Sequence, residues 1–546
     1  MSFARITPDR VPRPGVNRDR LDVRPKAIEE WLSGLPLADP EQTARLLLET
    51  LNVTTGIGLK PQVRLRLLGQ IEPAVDHATT ALRKRYALHP LPLARRGRAA
   101  VGLVLDLAEA MARGYRLVTF TDRGGLLGLR AARRAQALAG ICHHAGVVLL
   151  ECWQLYQFPP EGTWETLHRT RRGAGVQRLH QRRVQVSTGR RNTIEQAYKC
   201  LLLTAAANPW AMPRGDVLEV FRLLEPIAAE TRLVAAGRGR VEGATFMVNV
   251  DGDEEPRPLS GAGTAGEGRW LFVDTARVLA SLRRLDARGR VTGRADPDSD
   301  AARIGRLVQV LGQPAIRAQE RAAVQSEITL VAGLGRIAHF LQRPGGGEQA
   351  AAGAVESPVA MYDEGAEHLV ASPVAGFHGR DGGIGIARET GWRETDTSAS
   401  GCRLRASGAG ATRTRARVGE LVLVDVPQRT LPGGPRTGVV RWMQRHGTDG
   451  VELGVQIIGY NPQPVLAALE EDEGLEHAVE SLLLAAAPEL RQSESLLLPH
   501  LQAGPEARLR ILDDQGQYLV ELAGRHDSTP SFAQFAFIRK PAEAVT

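Results

Sequence analysis

Residues 391–405 read GWRETDTSASGCRLR, and the class of the C-terminal half turns on them. Asp396 through Gly401 are small, polar turn formers. They lead into Cys402-Arg403-Leu404-Arg405, apolar at every second position, the period of a strand with one buried side. Three more short runs follow: VGELVLVDVP (418–427), TGVVRWMQRHG (437–447) and VELGVQIIGY (451–460). Turn residues separate them at the spacing of a small antiparallel barrel. Upstream, SEITLVAGLG (326–335) reads as one more strand and RIAHFLQ (336–342) as a short helix, while Gly, Ala, Glu and Pro dominate 343–385, as in a flexible insertion.

Further from this region the texture changes. Residues 1–24 are rich in Pro and Arg and are expected to be disordered. From 25 to 230, apolar residues recur at three- and four-residue intervals in segment after segment. DPEQTARLLLETLNVT (39–54), with Asp39-Pro40 as a helix start, shows it best. Short turns between such segments predict a helical bundle or a helical array, and no fixed repeat length emerges. Residues 231–312 mix strands (ATFMVNVDG, RWLFVD) with helices (TARVLASLRRLDA, DSDAARIGRLVQVLG). Residues 466–487 are expected to form a helix, and the tail 491–541 further short strands.

The fold class expected is therefore multidomain α+β: an N-terminal helical bundle or helical array, an α/β middle segment, and a C-terminal β-barrel with additional short strands. The expected divisions are 1–24, 25–230, 231–312, 313–335, 336–390, 391–465 and 466–546, the length of 546 residues being too great for one core.

Bulk properties narrow the function classes. The 58 glycines and 32 prolines imply much connecting chain. The net charge of +8 rests on 69 basic residues, of which only five are lysine, and favours an anionic ligand or surface without specifying one. No apolar run in the sequence suggests a membrane span and no apolar leader opens the chain, so a cytoplasmic location is expected. Four scattered cysteines fit a reducing compartment. Nucleophile elbows, Walker loops, HExxH and dinucleotide-binding glycine loops do not occur in a suitable context, so the chain does not read as an enzyme and no cofactor is expected.

Two clusters invite chemistry and are read the plain way. Cys142, His143 and His144 with Cys152 fall on one expected helix. Adjacent positions there diverge by about 100° and the two cysteines lie roughly 15 Å apart along the axis, so no metal is expected. LHRTRRGAGVQRLHQRRVQVSTGRR (167–191) carries eight arginines but no interleaved aromatics. It reads as a solvated connection, with nucleic-acid binding as a lesser alternative.

The pattern Asp396-x-Ser398-x-x-Gly401, followed in order by CRLRASG, VGELVLV, GVVRW and LGVQII, resembles the PilZ domain, a small bacterial β-barrel that serves as a receptor for cyclic di-GMP. Gly419 matches the family's glycine before the third strand, Trp442 its tryptophan-bearing strand and Gly454 the opening of the last. The family's second motif, Arg-x-x-x-Arg ahead of the first strand, is matched by Arg317 and Arg321, immediately before EITLVAG. The resemblance implies a ligand site made of Arg317, Arg321, Asp396, Ser398 and Gly401. Guanidinium groups suit phosphate oxygens and guanine O6/N7, and the Asp carboxylate suits guanine N1–H and N2–H₂. It also implies a non-enzymatic cyclic di-GMP receptor with an unidentified protein partner engaged by the helical region. A degenerate, nucleotide-free interaction scaffold is the alternative within that family.

Overall fold

The computed structural model describes residues 22–540 except 88, 90, 123–126, 186–190, 237–243, 260–266, 291–299, 314–321, 343–387, 399, 409–413, 427–433, 447–449, 472–476, 487, 489–492, 500–503 and 505. Two compact units emerge. One holds the described residues up to 313, with Arg405–Val418 and Arg441–Gly454. The other holds the remaining strands of residues 322–540.

The first unit opens with six helices: α1 (Pro25–Ser33), α2 (Pro40–Gly56), α3 (Pro61–Lys84), α4 (Arg95–Thr121), α5 (Leu127–Gln154) and α6 (Thr163–Val176). A two-residue-per-arm hairpin, β1 (Val184–Gln185) and β2 (Arg191–Asn192), precedes α7 (Ile194–Ala206) and α8 (Asp216–Leu224). The expected start of α2 is realised: Asp39 caps it, accepting from the amides of Glu41 and Gln42 at 3.1 Å, and Pro40 fills the first turn. Leu47, Leu51, Leu67, Leu68, Ile71, Val104 and Met111 then meet in one continuous core.

The sequence suggested no membrane span, yet Gly128–Gln154 is a helix long and apolar enough for one. Its apolarity has another use: 83% of the apolar window is buried inside the protein, where α5 packs against α4, α6 and α7. A central helix surrounded by other helices is apolar on all sides for the same reason that a spanning helix is.

The middle segment is a four-stranded antiparallel sheet in the order β3 (Arg232–Ala235), β6 (Trp270–Asp274), β4 (Ala244–Asn249), β5 (Arg257–Pro258), followed by α9 (Ala276–Arg290) and α10 (Asp300–Gly312). Asp216 at the start of α8 anchors α10 through Arg303 (2.9 Å) and Arg306 (2.7 Å).

The strands of residues 322–540 form two closed six-stranded barrels. The first is ordered β10 (Leu421–Asp425), β11 (Arg436–His446), β12 (Gly450–Tyr460), β9 (Gly401–Ser407), β8 (Glu389–Ser398), β7 (Ala322–Ala332). It closes where β7 returns to β10, with Ala332 opposite Val422 and Thr329 opposite Asp425. The second is ordered β13 (Gln463–Leu469), β14 (Val479–Leu484), β15 (Ser495–Leu498), β18 (Ala533–Lys540), β17 (Gly516–Ser528), β16 (Arg508–Asp513). Helix α11 (Leu334–Leu341) buries Leu334, Ile337 and Ala338 in a core shared by both barrels, with Leu421, Val439, Leu482 and Leu497.

The helix expected over 466–487 is therefore replaced by β13 and β14, whose residues pair Val465↔Ser481 and Ala467↔Val479. Ala, Leu and Glu favour a helix locally, but closing the second barrel supplies ladder bonds and a core of Val465, Leu483, Leu509, Val520 and Phe535 that outweigh that bias. The strands of the tail belong to this separate barrel and do not complete the first.

Candidate functional site

The first barrel forms through close backbone approach at specific glycines. A Cβ on Gly454 would lie 1.9 Å from the Trp442 Nε1. Only glycine lets β12 lie under that indole, so the glycine and tryptophan singled out in the sequence are one packing contact. Gly419, with φ +85°, turns the chain into β10 in a conformation that costs an L side chain strain.

Asp396 and Ser398 occupy the last residues of β8, and Gly401 opens β9, so the motif is the rim of a tight hairpin with its ends in strands. Ser398 Oγ donates to the carbonyl of Gly401 at 3.1 Å, bracing the turn, and Thr395 Oγ1 donates to the carbonyl of Arg403 at 3.3 Å. The Asp396 carboxylate is partly exposed and meets the Arg403 guanidinium at 3.1 Å. The hairpin thus presents a half-buried carboxylate, a hydroxyl and a guanidinium within a few residues.

Just inside this rim, Arg436 at the start of β11 grips Glu394 of β8 with two contacts of 2.8 Å and reaches Thr397 Oγ1 at 3.2 Å. Both partners are buried. Burial by itself lowers the Arg436 pKa, but the Glu394 carboxylate reverses that and holds it above its usual value. Such a bidentate pair fixes the spacing of β8 and β11 beneath the rim. Neither residue was singled out in the sequence. Glu394 and Arg436 lie 42 positions apart, and strand alternation alone marks Glu394 as no more than a polar residue in a polar run.

Arg317 and Arg321 lie outside the described residues. The described chain resumes at Ala322, which pairs with Thr397, while Ala323 pairs with Asp396. β7 begins at Ala322, earlier than the strand expected from Ser326, and so enters beside the Asp396 end of β8.

The other two sequence clusters resolve differently. Within 167–191, Arg169 pairs with Glu165, Arg171 with Glu195 (2.9 Å) and Arg172 with Asp251 (2.7 Å). Arg171 and Arg172 tie α6 to its neighbours, Arg169 pairs within the helix, and Arg178, Arg182 and Arg183 are exposed. Cys142 and Cys152 are buried and their thiols are pushed up to about 12 by burial, so neither supplies a thiolate at neutral pH.

Strand β11 is divided between the two units. Its near end carries Arg436, and its far half groups with the helical unit. There the amide of Arg445 donates to the Tyr156 carbonyl at 2.7 Å, and the Phe158 ring lies between Trp210 and His446, 5.0 and 5.3 Å between centroids.

Comparison with known proteins gives a consistent picture. Residues 26–236 match the model of the cyclic-di-GMP receptor FimW N-terminal domain, and residues 465–539 that of the FimW C-terminal beta-barrel domain, which is the second barrel here. The two matches flank the barrel that carries Asp396. Over 97% of its length the chain is 24% identical to the cyclic-di-GMP receptor FimW of Pseudomonas aeruginosa, covering 93% of that protein. No solved structure matches it significantly. With both domain models matched in order, and together spanning more than half of the sequence, the chain belongs to the FimW family.

Proposed function

We propose that this protein is a cytoplasmic receptor for cyclic di-GMP that acts by binding and catalyses no reaction. The observation that carries the reading is the register of the first barrel. It sets Ala322, the first described residue after the arginine segment, opposite Thr397 and Ala323 opposite Asp396. The near full-length likeness to a cyclic-di-GMP receptor supports the same ligand.

In this reading the dinucleotide bridges two halves of a site. Asp396 accepts from N1–H and N2–H₂ of a guanine, exchanging its Arg403 partner for the base. Ser398 adds a rotatable hydroxyl, and Gly401 keeps the β8–β9 turn short enough for the ligand to approach the backbone. Arg317 and Arg321 pair with phosphate oxygens or the Hoogsteen edge of the second guanine. Binding would draw the arginine segment and the Asp396 rim together, and the Arg436–Glu394 clamp couples β8 to β11. A protein partner of the helical region would read that change.

Calorimetric titration of the full chain with cyclic di-GMP tests this. Saturable binding at micromolar concentration or tighter is expected, abolished in Arg321→Ala. Absence of binding, with a stable protein partner recovered instead, would establish the scaffold reading.

A further inference from the structure

The helical unit contains a second constellation, unconnected with the nucleotide. Glu72 on α3 lies opposite His143 and His144 on α5. Its Oε1 is 2.9 Å from His144 Nε2 and 3.9 Å from His143 Nε2. The longer approach is beyond hydrogen-bond range and the shorter is an ion-pair contact, and none of the three buried atoms meets the geometry of a well-formed hydrogen bond. Glu72 and His144 are 97% and 99% buried. Oxygen and two nitrogens all lie within 4.8 Å of one another.

Three unsatisfied lone-pair donors converging in a core are costly unless something fills the space between them. We propose that Glu72, His143 and His144 bind one divalent cation of the zinc class, clamping α3 to α5. Two imidazoles and a carboxylate form a donor set suited to Zn²⁺, whereas Ca²⁺ and Mg²⁺ take oxygen shells. Tetrahedral ligation at about 2.1 Å puts ligand atoms about 3.4 Å apart. The 2.9 Å gap must open and the 3.9 Å gap close by about half an ångström, and the two histidine nitrogens, within 4.8 Å of each other, must reach the same spacing.

The surroundings are built to hold the carboxylate in place. The Tyr115 hydroxyl of α4 donates to Glu72 Oε2 at 2.7 Å, leaving Oε1 turned to the histidines. The Tyr115 ring also stacks on His144, 6.0 Å between centroids and 23° apart. It can do so because α5 has glycine at 140, where a Cβ would stand 2.5 Å from that ring. A cavity of about 300 Å³, bordered by Asp76, Thr79, Cys142 and His143, reaches the His143 edge. It supplies both an entry path and room for a water as fourth ligand. Adjacent residues on a helix rarely share an ion, the reason no metal was expected from the sequence. Here Glu72, about 70 positions away, lies close enough to both rings to complete the set.

The test uses the tag-free full-length protein, stripped with a chelator and dialysed against Zn²⁺ or Co²⁺. About one zinc per chain is expected by elemental analysis, with a raised melting temperature. The Co²⁺ form should show the intense visible bands of a tetrahedral site. Both signals should vanish in Glu72→Gln and in His144→Gln. His143→Gln, at a side chain 31% exposed, gives a variant less apt to disturb the core, and should lower zinc affinity at least tenfold. No stoichiometric zinc in the wild type, or unchanged zinc content in folded Glu72→Gln, would overturn the site and leave a buried histidine–carboxylate pair.

Discussion

Replacing Asp396 by alanine tests the ligand rim most sharply. The carboxylate sits at the end of β8, partly exposed, with Arg403 at 3.1 Å as its ion-pair partner. In the bound state it gives charge-assisted hydrogen bonds to a guanine edge, worth about 1.5–3 kcal/mol each. Binding first costs the Arg403 pair, which at this exposure contributes about 0–1 kcal/mol. With two such bonds the net loss in Asp396→Ala is therefore about 2–6 kcal/mol, a weakening of about 30-fold or more in Kd. Because the pair contributes so little to the fold, the melting temperature should fall by no more than about 4 °C. Asp396→Asn keeps one acceptor and the side-chain shape, and should fall between wild type and alanine. Calorimetric titration of the three proteins with cyclic di-GMP, alongside thermal melts, supplies the comparison. An alanine variant that folds normally and binds within twofold of wild type would refute the assignment of Asp396.

Arg436→Ala should behave in the opposite way, mainly destabilising. It strands Glu394 in the core, at a cost of about 3–5 kcal/mol, and a Glu394→Leu/Arg436→Met double variant should recover most of the lost melting temperature. Gly454→Ala drives a methyl into Trp442 and should cost about 1–3 kcal/mol in chemical denaturation, with the first barrel losing cooperativity. Stability should also fall in acid through His168. Burial pushes its pKa down to about 4, while its ring contacts Tyr198 OH (2.7 Å) and the Glu254 carbonyl (3.0 Å). The unfolded chain then takes up the extra proton between about pH 6.5 and 4, so this contribution is complete above that window and lost on acidification. Its full size is about 3 kcal/mol, and His168→Gln should flatten melting temperature against pH across it.

The helices were legible because their information is local: the apolar period of 39–54 and the Asp39-Pro40 start both survive in α2. The barrel strands around Cys402, Leu423, Val439 and Val455 were legible for the same reason. What the sequence could not show depends on residues far apart in the chain. The polar β8 looks like the lead into a loop until Arg436 and Arg403, arriving on β11 and β9, neutralise Glu394 and Asp396. Residues 463–469 and 479–484 carry helix-favouring Ala, Leu and Glu, and only pairing with β16 and β15 makes them strands. The histidine pair at 143–144 gave no metal signature because its acidic partner is on another helix. For the nucleotide site, the motif Asp396-x-Ser398-x-x-Gly401 was visible, and the structure adds the opposing position of Ala322, at the end of the arginine segment.

Hydrogen–deuterium exchange of the full chain, with and without saturating cyclic di-GMP, tests the central claim most directly because it reports binding and location together. The account predicts slowed exchange in peptides spanning 394–403 and in the peptide containing Arg317 and Arg321, with a smaller effect along β11. Unchanged exchange in both segments, or protection confined to 167–191, would contradict it.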